Sequence, residues 1–199
     1  MPIEVDVDER LREIGAVTLE IADAEGVSGV SYRSVAKALG GSTKLVTKYL
    51  PTRTELLANA IRIAQARWKA ESDRVIAEAP PGGRVRAIAL WSCTTDTGDL
   101  AIRKLNVEIL SSHEVPQAVV EALSKTAVRH LDALREAAAL DGYEQPEQVA
   151  DAIFLATYGY FVSTLRDLGA WTEARAAAAV EAILSAAPRR TLRRTDALD

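Results

Sequence analysis

The chain has 199 residues, 48% of them hydrophobic and 26% charged, a net charge of −4 and one cysteine, Cys93. That length can bury the core of one small and one larger domain, and a lone cysteine excludes an intrachain disulfide. No basic start leads into an apolar run, and no uncharged apolar stretch reaches about 18 residues, so the expectation is a cytoplasmic protein without a signal peptide or membrane span.

The first helix is read from Asp8 to Glu25. Leu11, Ile14, Val17 or Thr18, Ile21 and Ala22 recur on one face, Arg10, Arg12, Glu13 and Glu20 lie outside it, and Gly26 ends it. Between Glu25 and Glu55 there is no acidic residue, yet Arg33, Lys37, Lys44, Lys48 and Arg53 fall there. Removing that +5 leaves the rest of the chain at −9. A cationic window in an acidic protein suits the phosphate backbone of a nucleic acid; a solvated basic face is the alternative.

Two short helices are expected inside the window. Ser31 or Tyr32 opens one, with Val35, Ala36 and Leu39 on its inner face, and Gly40-Gly41 stops it. Ser42 caps the next, from Thr43 to about Tyr49. Leu45, Val46 and Leu50 turn inward there, leaving Thr43, Lys44, Thr47 and Lys48 outward. Two short helices about a glycine turn make a helix-turn-helix pattern. A helix of about seven residues spans roughly 10 Å, and a major groove about 12 Å wide admits one helix.

Pro51 follows, and Thr52 with Glu55 forms a Thr-x-x-Glu capping box, a start signal for a long helix to about Ala79. Leu57, Ala60, Ile61, Ala64 and Trp68 face inward, and Pro80-Pro81-Gly82-Gly83 breaks the helix. This arrangement resembles the TetR family of bacterial transcriptional regulators. The resemblance covers residues 8–61 and rests on Ser31-Tyr32-Arg33, Val35-Ala36, Gly40, Ser42, Tyr49-Leu50-Pro51-Thr52-Arg53 and Glu55-Leu56-Leu57.

The resemblance implies a DNA-binding domain over 1–52, a helical ligand-binding and dimerisation domain over 53–188, and a flexible tail over 189–199. It places Ser31, Tyr32 and Arg33 against phosphate or a base. Ser42, Thr43, Lys44, Leu45, Thr47, Lys48 and Tyr49 fall on the recognition helix, and Arg53 on a phosphate contact. Leu45 can equally be core. Thr47, Lys44, Leu50, Arg53 and Gly41 depart from the family pattern, which usually has tyrosine, a small residue, phenylalanine, lysine and a hydrophobic residue there, so operator preference is expected to differ.

The remaining chain shows helical periodicity without sustained strand alternation. Helices are expected over 84–95, 99–110, 116–140, 146–168 and 172–187, an all-α architecture of about nine helices. The Arg-rich tail after Pro188 reads as loose, with contact to DNA as the alternative. The helix over 146–168 is apolar nearly all round, which predicts burial on both sides. Its small stripe, Ala152, Ala156, Gly159 and Ser163, is expected at a subunit boundary, and its bulky stripe, Phe154, Tyr158, Phe161 and Leu165, in its own core. The last helix offers a matching seam through Ala176, Val180, Ile183 and Ala187. One monomeric core using both stripes is the alternative; the resemblance also implies a homodimer through the last two long helices.

The resemblance further implies a pocket for a small-molecule effector, of unknown identity, that releases DNA. Trp91, Cys93, Thr94, Asn106, His113, Tyr158 and Phe161 are its candidates, mixing aromatic wall and polar groups. His113 and His130, the only histidines, lack metal-ligand spacing, and Gly40 to Lys44 has only a faint likeness to a phosphate loop. No enzyme, metal or cofactor is expected. The function expected is a dimeric repressor of double-stranded DNA. The alternative is a constitutive or protein-regulated helical DNA-binding protein without a small ligand.

Overall fold

A computed structural model of the protein describes residues 6–93, 97–113 and 115–190. The described residues form nine α-helices and no strand: α1 Val7–Glu25, α2 Tyr32–Ala38, α3 Thr43–Thr47, α4 Arg53–Glu78, α5 Arg84–Trp91, α6 Thr97–Leu110, α7 Gln117–Leu140, α8 Pro146–Arg166 and α9 Glu173–Ala186. A 3-10 turn, Val27–Gly29, joins α1 to α2.

Local chemistry fixes the helix ends of the N-terminal unit. The Asp6 carboxylate accepts from the Asp8 and Glu9 amides at the start of α1. The Ser31 hydroxyl accepts from the Ser34 amide at 3.0 Å, and Ser34 returns the contact by accepting from the Ser31 amide at 2.9 Å. This is a reciprocal capping box with serine in place of the usual glutamate. α2 ends where Gly40 adopts φ +66°, allowing Gly40 to donate to the Lys37 carbonyl and Gly41 to the Ala36 carbonyl. These two bonds are the Schellman pattern, and the left-handed φ is why glycine stands there. The expected Thr52–Glu55 box also forms, with Glu55 accepting from the Thr52 amide at 2.8 Å and Thr52 from the Glu55 amide at 3.1 Å.

Two main cores divide the helices. In the first, Ile14, Val35, Val46, Leu50, Leu56 and Ile61 bury together with Ala101, Ile102, Leu105 and Ile109 of α6. In the second, Val85 and Ile88 of α5, Leu134 and Ala138 of α7, Ile153 of α8 and Val180 of α9 surround fully buried Tyr143. The first turns of α4, through Ala64, pack with α1–α3, so the apolar core runs past position 52. The start of α5 is held from α7: Asp141, whose side chain is 1% exposed, accepts from the Val85 amide at 2.9 Å and pairs with Arg84 at 3.3 Å.

Four expectations change here. α3 stops at Thr47 rather than near Tyr49, and α5 at Trp91 rather than near 95. The bulky stripe of α8 is not sunk in the protomer's core. Tyr158 is 47% exposed, and Phe154, Phe161 and Leu165 are half-buried. The ring centroids of Phe154 and Tyr158 lie 6.3 Å apart, and those of Tyr158 and Phe161 5.8 Å apart, a ladder set by helical spacing along the side of α8. The seam expected on α9 turns inward. Ala176 and Val180 are buried in their own chain, while Ile183 and Ala187 are half-buried against the second core. Closing the second core takes that stripe, which leaves Ala178, Ala179, Ala182 and Ala186 outward.

Candidate nucleic-acid interface and ligand cleft

α2 and α3 form a rigid pair because Val35, Ala36, Val46 and Leu50 are buried beneath them. Tyr32 strengthens the pair by donating its hydroxyl to the Leu50 carbonyl at 3.0 Å. That bond joins the start of α2 to the chain just beyond α3, and it gives Tyr32 a structural task besides any contact with DNA. Burial raises the Tyr32 pKa above its ordinary value, aided by the nearby Glu55 charge, so the hydroxyl stays a donor.

Around this frame Ser31, Arg33, Ser42, Thr43, Lys44 and Lys48 are exposed. Leu45, Thr47 and Tyr49 are half-buried. The Thr47 hydroxyl lies 3.5 Å from the Lys44 carbonyl, and Tyr49 packs on the first core. The Lys48 ammonium lies 5.4 Å from the Tyr49 ring centroid, within cation–π range, which restrains a flexible side chain near the end of α3. Arg53 is placed differently from a free phosphate contact. Its guanidinium pairs with Glu108 of α6 and donates to the Val27 carbonyl at 3.1 Å.

The described residues among the seven expected in the ligand pocket do not gather into one site. His113 is exposed beyond α6, Asn106 donates to the Ile102 carbonyl one turn back, and Trp91 packs on the second core. Tyr158 and Phe161 belong to the aromatic ladder. Thr94 lies outside the described residues. Of the six described candidates only Cys93 lines a cleft, of about 310 Å³, between α8 and α9. Ala156, Gly159, Tyr160, Ser163, Trp171 and Ala176 are also on its walls. Burial pushes the Cys93 thiol up to about 11, opposed by Arg103 and aided by Glu173, so it is a neutral thiol at physiological pH.

Beside the cleft Arg103 of α6 is 4% exposed. It donates to the Thr164 hydroxyl at 2.7 Å and lies 5.5 Å from the Tyr160 ring and 5.4 Å from the Phe161 ring. Burial lowers its pKa, while Asp99 acts in the opposite direction. Arg103 was missed at the sequence level because one arginine inside an otherwise ordinary helical stripe reads as a surface charge. Its position one turn from Asp99 and four residues before Val107 gave no sign of burial.

Several known proteins share this architecture. No family model matches the chain. Over 65 residues it is 34% identical to the HTH-type transcriptional regulator PksA of Bacillus subtilis (strain 168), a match spanning 33% of this chain and 32% of that protein. The chain thus matches about a third of the length of that relative. A transcriptional regulator from Rhodococcus sp. RHA1 superposes with a TM-score of 0.73 at 18% identity, covering 88% of this chain and 94% of that one. A protein assigned to the TetR family from Mesorhizobium loti MAFF303099 gives 0.70 at 15% identity, covering 92% and 96%. The multidrug binding protein EbrR, solved with imidazole, gives 0.65 at 19% identity, covering 96% and 95%. By class the protein is an all-α helix-turn-helix protein. More narrowly, its fold is that of the TetR-family transcriptional regulators.

Proposed function

We propose that the protein is a sequence-specific DNA-binding transcriptional regulator, a dimeric repressor that a small molecule releases from a palindromic operator. The observation that carries this reading is the exposure of Arg33, Lys44 and Lys48 on a rigid two-helix unit of an acidic chain. Anchored beneath by Val35 and Val46, the short α3 can enter a major groove while exposed lysines meet phosphate. Thr43, Lys44 and Thr47 are the residues positioned to meet base edges.

A single two-helix unit makes few contacts. Two units related by a two-fold axis read half-sites about 34 Å apart or a multiple of that. Exposed Leu155, Tyr158 and Gly159 of α8, with the outward alanines of α9, are the surface assigned to the dimer. Release follows if an effector binds one conformation more tightly than the other. The likeness to EbrR, described as a multidrug binding protein, supports a small-molecule effector.

The test is binding to genomic fragments surrounding the protein's own gene, at two salt concentrations and with competitor DNA. A competitor-resistant complex containing an even number of subunits is expected. Lys48→Ala should reduce the salt slope by about one unit if Lys48 meets a phosphate. Loss of all binding in the presence of competitor would refute sequence-specific regulation at these sites.

A further inference from the structure

The two-helix unit carries Arg33 and Lys37 on α2, Lys44 on α3 and Lys48 just after it. Their surroundings differ. The Lys48 ammonium rests near the Tyr49 ring, and Arg53 further on is taken by Glu108. Among the described residues no ion pair or cation–π contact engages Arg33, Lys37 or Lys44. Arg33 and Lys37 stand on the first helix of the pair. In a helix-turn-helix that helix crosses the phosphate backbone, and base edges are met by the first residues of the second helix. Lys44 is the second residue of α3.

The direction of Lys44 is fixed from below. Val46 is 0% exposed, and Lys44, two residues earlier, lies about 200° around the helix from it, on the opposite face. From Gly40 to Thr47 Lys44 is the only charged residue and has the longest side chain. Gly40, Gly41, Ser42 and Thr43 before it are all short, so its exposed ammonium reaches past them.

The chemistry of an ammonium narrows the base it can read. It has three donors and no acceptor. In the major groove guanine presents two neighbouring acceptors, N7 and O6. Adenine sets an amino group beside its N7, thymine a methyl group beside its O4, and cytosine offers a donor. Guanine alone gives a cation two acceptors with neither a donor nor a methyl group alongside.

We propose that Lys44 is a specificity-determining residue that donates to N7 and O6 of one guanine in each half-site of the target DNA. The inference deepens the regulator reading above and rests on it. Lys48, held beside Tyr49 beyond the end of α3, meets phosphate instead, a contact that carries no sequence information.

The experiment is selection from a random-sequence duplex library by the full chain, in parallel with Lys44→Ala, Lys44→Gln and Lys48→Ala, with competitor DNA present. The parent should enrich a sequence with a fixed guanine in each half. Lys44→Ala should accept all four bases at that position alone. Lys44→Gln should exchange the guanine for adenine, whose N7 and N6 a glutamine amide matches. Lys48→Ala should keep the guanine while binding more weakly overall. On the parent's selected site, 7-deazaguanine at that position should cost about tenfold in affinity, whereas inosine, which keeps N7 and O6, should cost nothing. Lys44→Ala should be indifferent to both replacements, and each variant should melt with the parent because Lys44 and Lys48 are exposed. A uniform loss of affinity and salt slope in Lys44→Ala, with the base preference intact, would make Lys44 a phosphate contact and overturn the proposal. Tolerance of 7-deazaguanine by the parent, or relaxation at the same position in Lys48→Ala, would overturn it too, and all three results would leave the regulator reading standing. Enrichment of no sequence by the parent would refute both.

Discussion

Arg53, the first residue of α4, pairs with Glu108, 55 positions later near the end of α6, and also donates to the Val27 carbonyl. One side chain therefore ties three segments together beside the two-helix unit of α2 and α3. Glu108 neutralises a cation that could otherwise meet a phosphate. Both side chains are more than a third exposed, so the pair contributes little stability and can be exchanged readily. Glu108→Gln should therefore raise DNA affinity and steepen its salt slope by up to about one unit. The measurement is a salt titration of operator binding; unchanged affinity would make Arg53 a positioning residue for α4 alone.

Asp141 is the clearest polar keystone beside the second core. Its buried carboxylate caps α5 and pairs with Arg84. Asp141→Ala should destabilise the fold by about 2–4 kcal/mol, because it leaves the Val85 amide and part of Arg84 without a partner. Urea unfolding measures this, with Asp141→Asn expected to lie between the two.

His130 on α7 sits 6.0 Å from the Phe154 ring, and burial lowers its pKa below the ordinary 6.5. Below about pH 6.5 the unfolded chain takes up a proton that the folded chain resists, so the unfolded state binds more protons and stability falls. This contribution is complete above that pH and is lost as pH falls toward the folded-state value. Melting at pH 7.5 and 5.5 should show a smaller loss for His130→Leu than for the parent.

Gly159 is exposed, and a side chain added there meets open space in the protomer. Gly159→Leu should leave the fold intact, even favoured by helix propensity, yet prevent close approach of a second copy across α8. Sedimentation should show a monomer with an unchanged helical circular dichroism spectrum. An intact dimer would move the interface elsewhere.

The helices were legible from the sequence where local chemistry determines them. The Thr52–Glu55 box, Gly40 and the breaker before Gly83 mark ends that depend on neighbouring residues alone. Exposed Lys44 and Lys48 could be placed because Val46 and Leu50 define the opposite face. The later helices resisted the same approach. On α8 nearly every position is apolar, so composition gives no direction, and packing against α7 and α9 decides which side is covered. For the same reason the apolar stripe of α9 does not announce that it faces its own chain. Arg103 and Tyr160 meet only through the folding of α6 onto α8, 57 residues away in sequence, and no local pattern announces that meeting.

α6 contributes Ile102, Leu105 and Ile109 to the first core and Arg103 to the contacts with α8. A chimera made by cutting after α4 and grafting the front of this chain onto another protein of the same fold would therefore expose the apolar surface that those three side chains cover. The N-terminal helical unit is not a detachable cassette. Any transplant of it has to carry α6 along, or rebuild that helix's inner face in the new host.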